Sequence, residues 1–169
     1  MTDHILSHEE SVGKIADLIR DIRYTMLTTL SAEGHLHSRP MTLQETAFDG
    51  TLWFFTGKSS PLVDEVAAHP EVNLGFADPD EGSYVSLSGR ARLVEDRAKE
   101  RELWKPILKA WFPRGLQDPE LALLRVDVHH GQYWDAPEAK VVQLMGMAKA
   151  VVTGTAYHGG ESGKVDLQS

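Results

Sequence analysis

The sequence predicts a mainly β, α+β domain: a small antiparallel barrel of six strands with helices at its periphery. Three observations carry this. Six short apolar or alternating runs are separated by turn residues rather than by long helical stretches. Asp49-Gly50, between two of those runs, is a strong hairpin signal. Gly89 interrupts the longest alternating run, where a barrel strand bulges or bends.

A length of 169 residues suits one domain with a sizeable core. The hydrophobic content of 41% and charged content of 25% are ordinary for a globular chain. A net charge of −8 argues against a nucleic-acid surface, which needs a dense basic patch. The absence of cysteine excludes disulfides, thiolate metal sites and a Cys nucleophile. The opening MTDHILSHEE has neither the basic nor the apolar part of a signal peptide, and no run reaches membrane-spanning length. A cytoplasmic protein without membrane or nucleic-acid partners is the expectation.

Ser7-His8-Glu9-Glu10 has capping-box form, and Val12, Ile15, Ile19 and Ile22 then fall on one helix face. Residues 24–30 read as a strand, Ser31-Ala32-Glu33-Gly34 as its turn, and residues 35–44 as a returning strand with Pro40 at an edge, a bulge or an interruption of the ladder. Residues 51–56 form the third strand, so the first three make an antiparallel meander. A short helix over 61–68 ends at His69-Pro70. Residues 72–77 and 83–94 are strands four and five. A helix from Asp96 to about Trp111 carries Trp104 and Trp111 toward the core, kinked at Pro106. Residues 121–130 are strand six, 131–137 a loop containing Trp134, and 138–152 a helix. Residues 1–154 thus make one domain, and 155–169 a polar tail expected to be mobile.

The most informative stretch is TLWFFTGKSSPLVDE, residues 51–65. An aromatic strand ends at Thr56-Gly57 and hands the chain to a helix capped by Ser60, with Pro61 in its first position. Free N–H groups there, with Thr56, Lys58, Ser59 and Ser60, suit an anion. Phosphate at one end and an aromatic strand at the other suggest a nucleotide-like cofactor. Gly57-Lys58-Ser59 is not a P-loop, because Leu52 stands where that pattern needs glycine. An ordinary capped turn explains the local features equally well. If strands two and three pair, Arg39 comes near this turn and could grip phosphate through two N–H groups. His35 and His37 share a strand face but lack a third ligand of convincing spacing.

Taken together, His37-Ser38-Arg39-Pro40-Met41, Leu52-Trp53-Phe54-Phe55-Thr56, Ser59-Ser60-Pro61, Val72-Asn73-Leu74-Gly75-Phe76, Tyr133-Trp134-Asp135 and residues 140–154 resemble the pyridoxamine 5′-phosphate oxidase-like, FMN-binding split-barrel superfamily, in its general stress protein 26-like branch. The resemblance spans residues 7–154. It implies a six-stranded antiparallel split barrel, a homodimer with flavin sites at the subunit interface, and FMN, or the larger FAD, as cofactor. Arg39, Thr56, Ser59 and Ser60 would hold the phosphate, with Ser38 and Lys58 counted in the same set. Met41, Phe54 and Phe55 would line the ring, and Trp134 would close the pocket or reach it from the partner. Leu62 stands where the family often has a basic residue, and Lys58 is the substitute at hand. The implied activity is a flavin-dependent oxidoreductase using NAD(P)H and a small-molecule redox partner, with no catalytic acid or base named. A non-catalytic flavin-storing or stress-sensing protein is the alternative, and a tetrapyrrole binder using His35 or His37 a third. No arginine- and histidine-bearing C-terminal segment is present to hold a second phosphate, which argues against pyridoxamine phosphate as substrate.

Overall fold

The computed structural model describes residues 7–136, 140–156 and 160–168, with residues 140–143 described by backbone alone. Helix α1 (His8–Ile19) opens on the expected capping box: Ser7 Oγ accepts from Glu10 N, and the Glu10 carboxylate accepts from Ser7 N at 2.8 Å. Strands β1 (Tyr24–Leu30), β2 (Leu36–Thr42), β3 (Thr51–Gly57), β4 (Glu71–Asp78), β5 (Ser83–Val94), β6 (Leu121–Asp135) and β7 (Glu161–Asp166) form one antiparallel sheet. Helices α2 (Pro61–Ala68), α3 (Arg97–Leu103) and α4 (Lys140–Thr153) lie between them. The strand order is β2-β1-β4-β5-β6-β3, with β7 on β6. The sheet curls around a core in which Ile15, Leu27, Phe54, Leu74, Leu87 and Leu124 are fully buried.

Alternation decides which face each strand buries. In β3, Leu52, Phe54 and Thr56 point inward while Trp53 and Phe55 point out. The ladder β3 needs is supplied by β6, with Phe54 opposite Leu124 and Leu52 opposite Val126. The meander expectation is therefore corrected. β1 and β2 form a hairpin, but among the described residues no ladder joins β2 to β3. The Asp49-Gly50 corner does form: Asp49 accepts from Thr51 N, and Gly50 has φ +99°. It turns β3 toward β6, where Gly50 O accepts from Val128 N at 2.8 Å. β2 and β3 approach each other across an open seam, the split in the barrel.

Three other boundaries differ. The helix expected over 96–111 stops at Leu103, because Pro106 forces Lys105 into an extended conformation. A 3-10 segment, Pro106–Ala110, follows; Leu108 is buried and Trp111 is exposed instead of packed. The loop expected at 131–137 is strand as far as Asp135. Gly131 is tolerated there because a side chain would meet Val165 and Leu87 at under 3 Å. The tail expected to be mobile contains β7, which pairs with the second half of β6 and buries Val165 and Leu167. The sheet therefore has seven strands, not six. Gly89 sits at a register shift between β5 and β6, as its place in the sequence suggests. Among the described residues no helix is long and apolar enough to cross a membrane.

Candidate functional site

β1 and β2 present His37, Arg39 and Met41 on the same face as Thr29, Leu27 and Thr25, because directly paired residues share a face. That face looks inward, toward α2. The Arg39 guanidinium donates through Nη2 to Glu65 Oε2 at 2.5 Å and to Thr29 Oγ1 at 3.0 Å. Thr29 donates in turn to the same carboxylate oxygen at 2.6 Å, and His37 Nδ1 lies 3.1 Å from Glu65 Oε1. Glu65 is only 9% exposed. Burial pushes its carboxyl upward, but hydrogen bonds from Thr29, His37 and Arg39, with the Arg39 charge, outweigh it and hold the group below its ordinary value.

The strand-to-helix turn follows β3. Ser60 caps α2 by accepting from Leu62 N, and Pro61 occupies the first helical position. Ser60 N closes the turn on Gly57 O at 3.0 Å, and Lys58 N and the donors of Ser59 face Glu120, just before β6. Lys58 N donates to Glu120 O at 2.8 Å; Ser59 donates to Glu120 Oε2 through N at 3.1 Å and through Oγ at 2.5 Å. The Ser59 hydroxyl, then its amide, lower the Glu120 carboxyl. The Lys58 ammonium lies 3.8 Å from Glu95. A carboxylate thus already sits on the donors of the anion turn, as an anion with two oxygens would.

The predicted site residues fall into separate places. Arg39 and Met41 lie on the inner face; Lys58, Ser59 and Ser60 lie in the turn. Thr56 is buried at the end of β3. Phe54 is wholly buried, so only its backbone can meet a ligand. Phe55 faces the other way, edge-on to Trp104 with ring centroids 6.0 Å apart. Ser38 points to the outer face, 2.7 Å from Thr28 Oγ1. Trp134, expected in a loop, stands on β6 between Tyr84 and Ser162, and its side chain is on that outer face too. Arg39 is not brought beside the turn by β2–β3 pairing; α2 makes the connection through Glu65. Glu65, Thr29 and Glu120 were missed by sequence reasoning. A Glu one turn into a capped helix and a Thr alternating with Leu27 are faint signals, and Glu120 gives none.

A half-buried guanidinium and two serine hydroxyls suit a phosphate, with Glu120 displaced from Ser59; the first amides of α2 are not part of the set, since Leu62 N donates to Ser60 Oγ and Val63 N to Ser60 O. The model of a family described as pyridoxamine 5′-phosphate oxidase like matches residues 10–158. The chain belongs to this family. Among solved relatives, a protein of Jannaschia sp. CCS1 named for general stress protein 26 is 30% identical, covering 91% of this chain and 96% of its own, with a TM-score of 0.73. The general stress FMN/FAD binding protein of Xanthomonas citri is 34% identical, covering 78% and 92%, with a TM-score of 0.66. Protein bli-3 of Neurospora crassa is 28% identical over 156 residues, 86% of this chain and 75% of its own length. The antiparallel split barrel of the family is the fold seen here. Leu62, the departure from the family's usual basic residue, is 1% exposed and belongs to the core. The ammonium of Lys58, the substitute at hand, faces Glu95.

Proposed function

We propose that this chain binds a flavin, FMN or the larger FAD, and serves as a flavin-dependent oxidoreductase of the general stress type. The observation that carries the reading is the Arg39 guanidinium, fixed by Glu65 and Thr29 beside the helix that begins at the anion turn. The likeness to the Xanthomonas citri protein supports it. Arg39, Thr56, Ser59 and Ser60 would hold the phosphate, and Met41 with the backbone of Phe54 and Phe55 would border the ring. A bound flavin would supply the electron chemistry, drawing on NAD(P)H. The protein's part is to bind it and exclude water.

A homodimer in the cytoplasm belongs to the same reading. The outer sheet face exposes Tyr24, Met26, Leu36, Tyr84 and Trp134. Among the described residues no element packs along α4 over more than a few positions, and Leu144, Met145, Val151 and Val152 are all exposed, Leu144 the least at 66%. Apolar surface on this scale needs a cover, and a second copy would place Ser38 and Trp134 at the interface.

The alternative is a carrier that stores or senses flavin without turnover. It is favoured by Arg39, Glu65 and His37 being engaged with one another, which leaves no poised acid or base in the cluster. Titration with FMN, FAD and riboflavin, followed by flavin fluorescence, tests the binding claim. FMN should bind more tightly than riboflavin, and Arg39→Ala should erase that difference. Failure of all three flavins to bind would sink both readings. NADH oxidation by the loaded protein separates enzyme from carrier.

A further inference from the structure

A cavity of about 510 Å³ lies under the connection between β2 and β3, bounded by the end of α1 and by the Pro106–Ala110 segment. Its size is that of small-molecule sites. It starts at Thr42 and Leu43, three residues along β2 from Arg39, or about 10 Å of extended chain. Arg39, Thr56, Ser59 and Ser60 are not among its walls.

The walls divide by chemistry. Ile19, Leu43, Phe48, Leu52 and Leu108 make an apolar floor. Arg20, Arg23 and Lys105 stand at the rim, with Glu45 the only acidic wall residue among the described residues. Three cations around one opening are notable in a chain of net charge −8. Arg20 is paired outside with Asp17 on its own helix. Lys105 Nζ meets Glu45 Oε2 at 2.5 Å, and Glu45 is otherwise solvent-exposed. Its carboxyl is held low first by the Lys105 hydrogen bond and charge, with Arg23 adding to them. An exposed carboxylate thus occupies the cationic side of an apolar cavity.

We propose that this cavity is a second ligand site, for an organic monocarboxylate with a hydrocarbon body. The carboxylate would take the place of Glu45 between Lys105 and Arg23, and the hydrocarbon would lie on Ile19, Leu43, Phe48 and Leu52. Burying it there supplies affinity, while the two cations select the charged head. The proposal does not depend on flavin binding.

The test is titration of the ¹⁵N-labelled chain with sodium octanoate, followed by amide shifts, with 1-octanol as the uncharged control. The expected result is saturable binding with shifts at Leu43, Ala47, Phe48 and Leu108, and none at Ser59 or Ser60. Octanol should bind at least tenfold more weakly. Lys105→Gln and Arg23→Gln should each weaken octanoate severalfold without affecting octanol. Ala47→Trp, at an exposed wall position, should abolish both. Three results would overturn the proposal: unsaturable shifts spread over α4, equal binding of octanol and octanoate, or displacement of octanoate by FMN in direct competition. The last would make the cavity part of the flavin site.

Discussion

Arg39 on β2 and Glu65 on α2 are joined by an ion pair of 2.5 Å, and Thr29 Oγ1 is hydrogen-bonded to both partners. The pair ties the edge hairpin of the sheet to the helix that begins at the anion turn. It therefore positions a cation and stabilises a fold at once. Truncating one member leaves the other charge short of its partner in a poorly solvated place. Arg39→Ala or Glu65→Ala should each cost about 2–4 kcal/mol, measured by urea unfolding. The double variant should cost clearly less than the sum, and strict additivity would show that the two are not coupled.

Acid should find the same carboxylate. The folded-state value of Glu65 lies below its ordinary 4.5. Its contribution is present in full above the unfolded value and is lost as pH falls through the folded one. Glu65→Gln should therefore lower stability by a constant amount at neutral pH and flatten its decline below about pH 4. Urea midpoints collected between neutral pH and pH 3 check this; parallel declines for both proteins would contradict it.

Glu120 competes with any anion for Ser59. Replacing its carboxylate by an amide removes a negative charge from the turn and keeps the shape. Glu120→Gln should tighten FMN binding severalfold and leave riboflavin unchanged, since riboflavin lacks the phosphate. Equal effects on both flavins would mean that the turn does not meet the phosphate.

Gly89 is required by contact and not by dihedral. A Cβ there would lie 2.7 Å from the Asp127 carbonyl oxygen and 2.9 Å from Val126 Cγ1. Backbone cannot yield as a flexible side chain does, so Gly89→Ala should cost about 1–3 kcal/mol. The readout is the thermal midpoint, against Gly13→Ala, where the added methyl meets nothing within 4 Å.

The outer face offers a further check. Light scattering behind size exclusion should give the mass of two chains. Tyr84→Lys or Met26→Glu should shift the population toward one, because each puts a charge on an apolar face. A monomeric parent would remove the interface reading.

Local chemistry was legible in the sequence where it rests on neighbouring residues. The Ser7 capping box and the Ser60-Pro61 helix start each follow from side chains within a few positions. Partner choice was not legible. Asp49-Gly50 specifies a reversal of the backbone but not the strand that receives β3, which is set by β6 some seventy residues on. Gly131 was misread as a loop start because the reason for it, the Val165 side chain, lies in β7. The site shows the same division. Arg39 was singled out, but its tether is Glu65 on a helix, across the seam where pairing with β3 was expected.

The seating of α1 has a consequence for how the chain is made. α1 packs against β5 and β7, and Lys14 reaches Asp135 at 3.0 Å and Glu161 at 3.5 Å. Helix α1 is therefore seated in part by β7, the last of the described strands in chain order. Contacts of such long range form slowly. A nascent chain that has produced β6 but not β7 would seat α1 on β5 alone and leave half of β6 with a bare edge, the state most exposed to pairing with another chain.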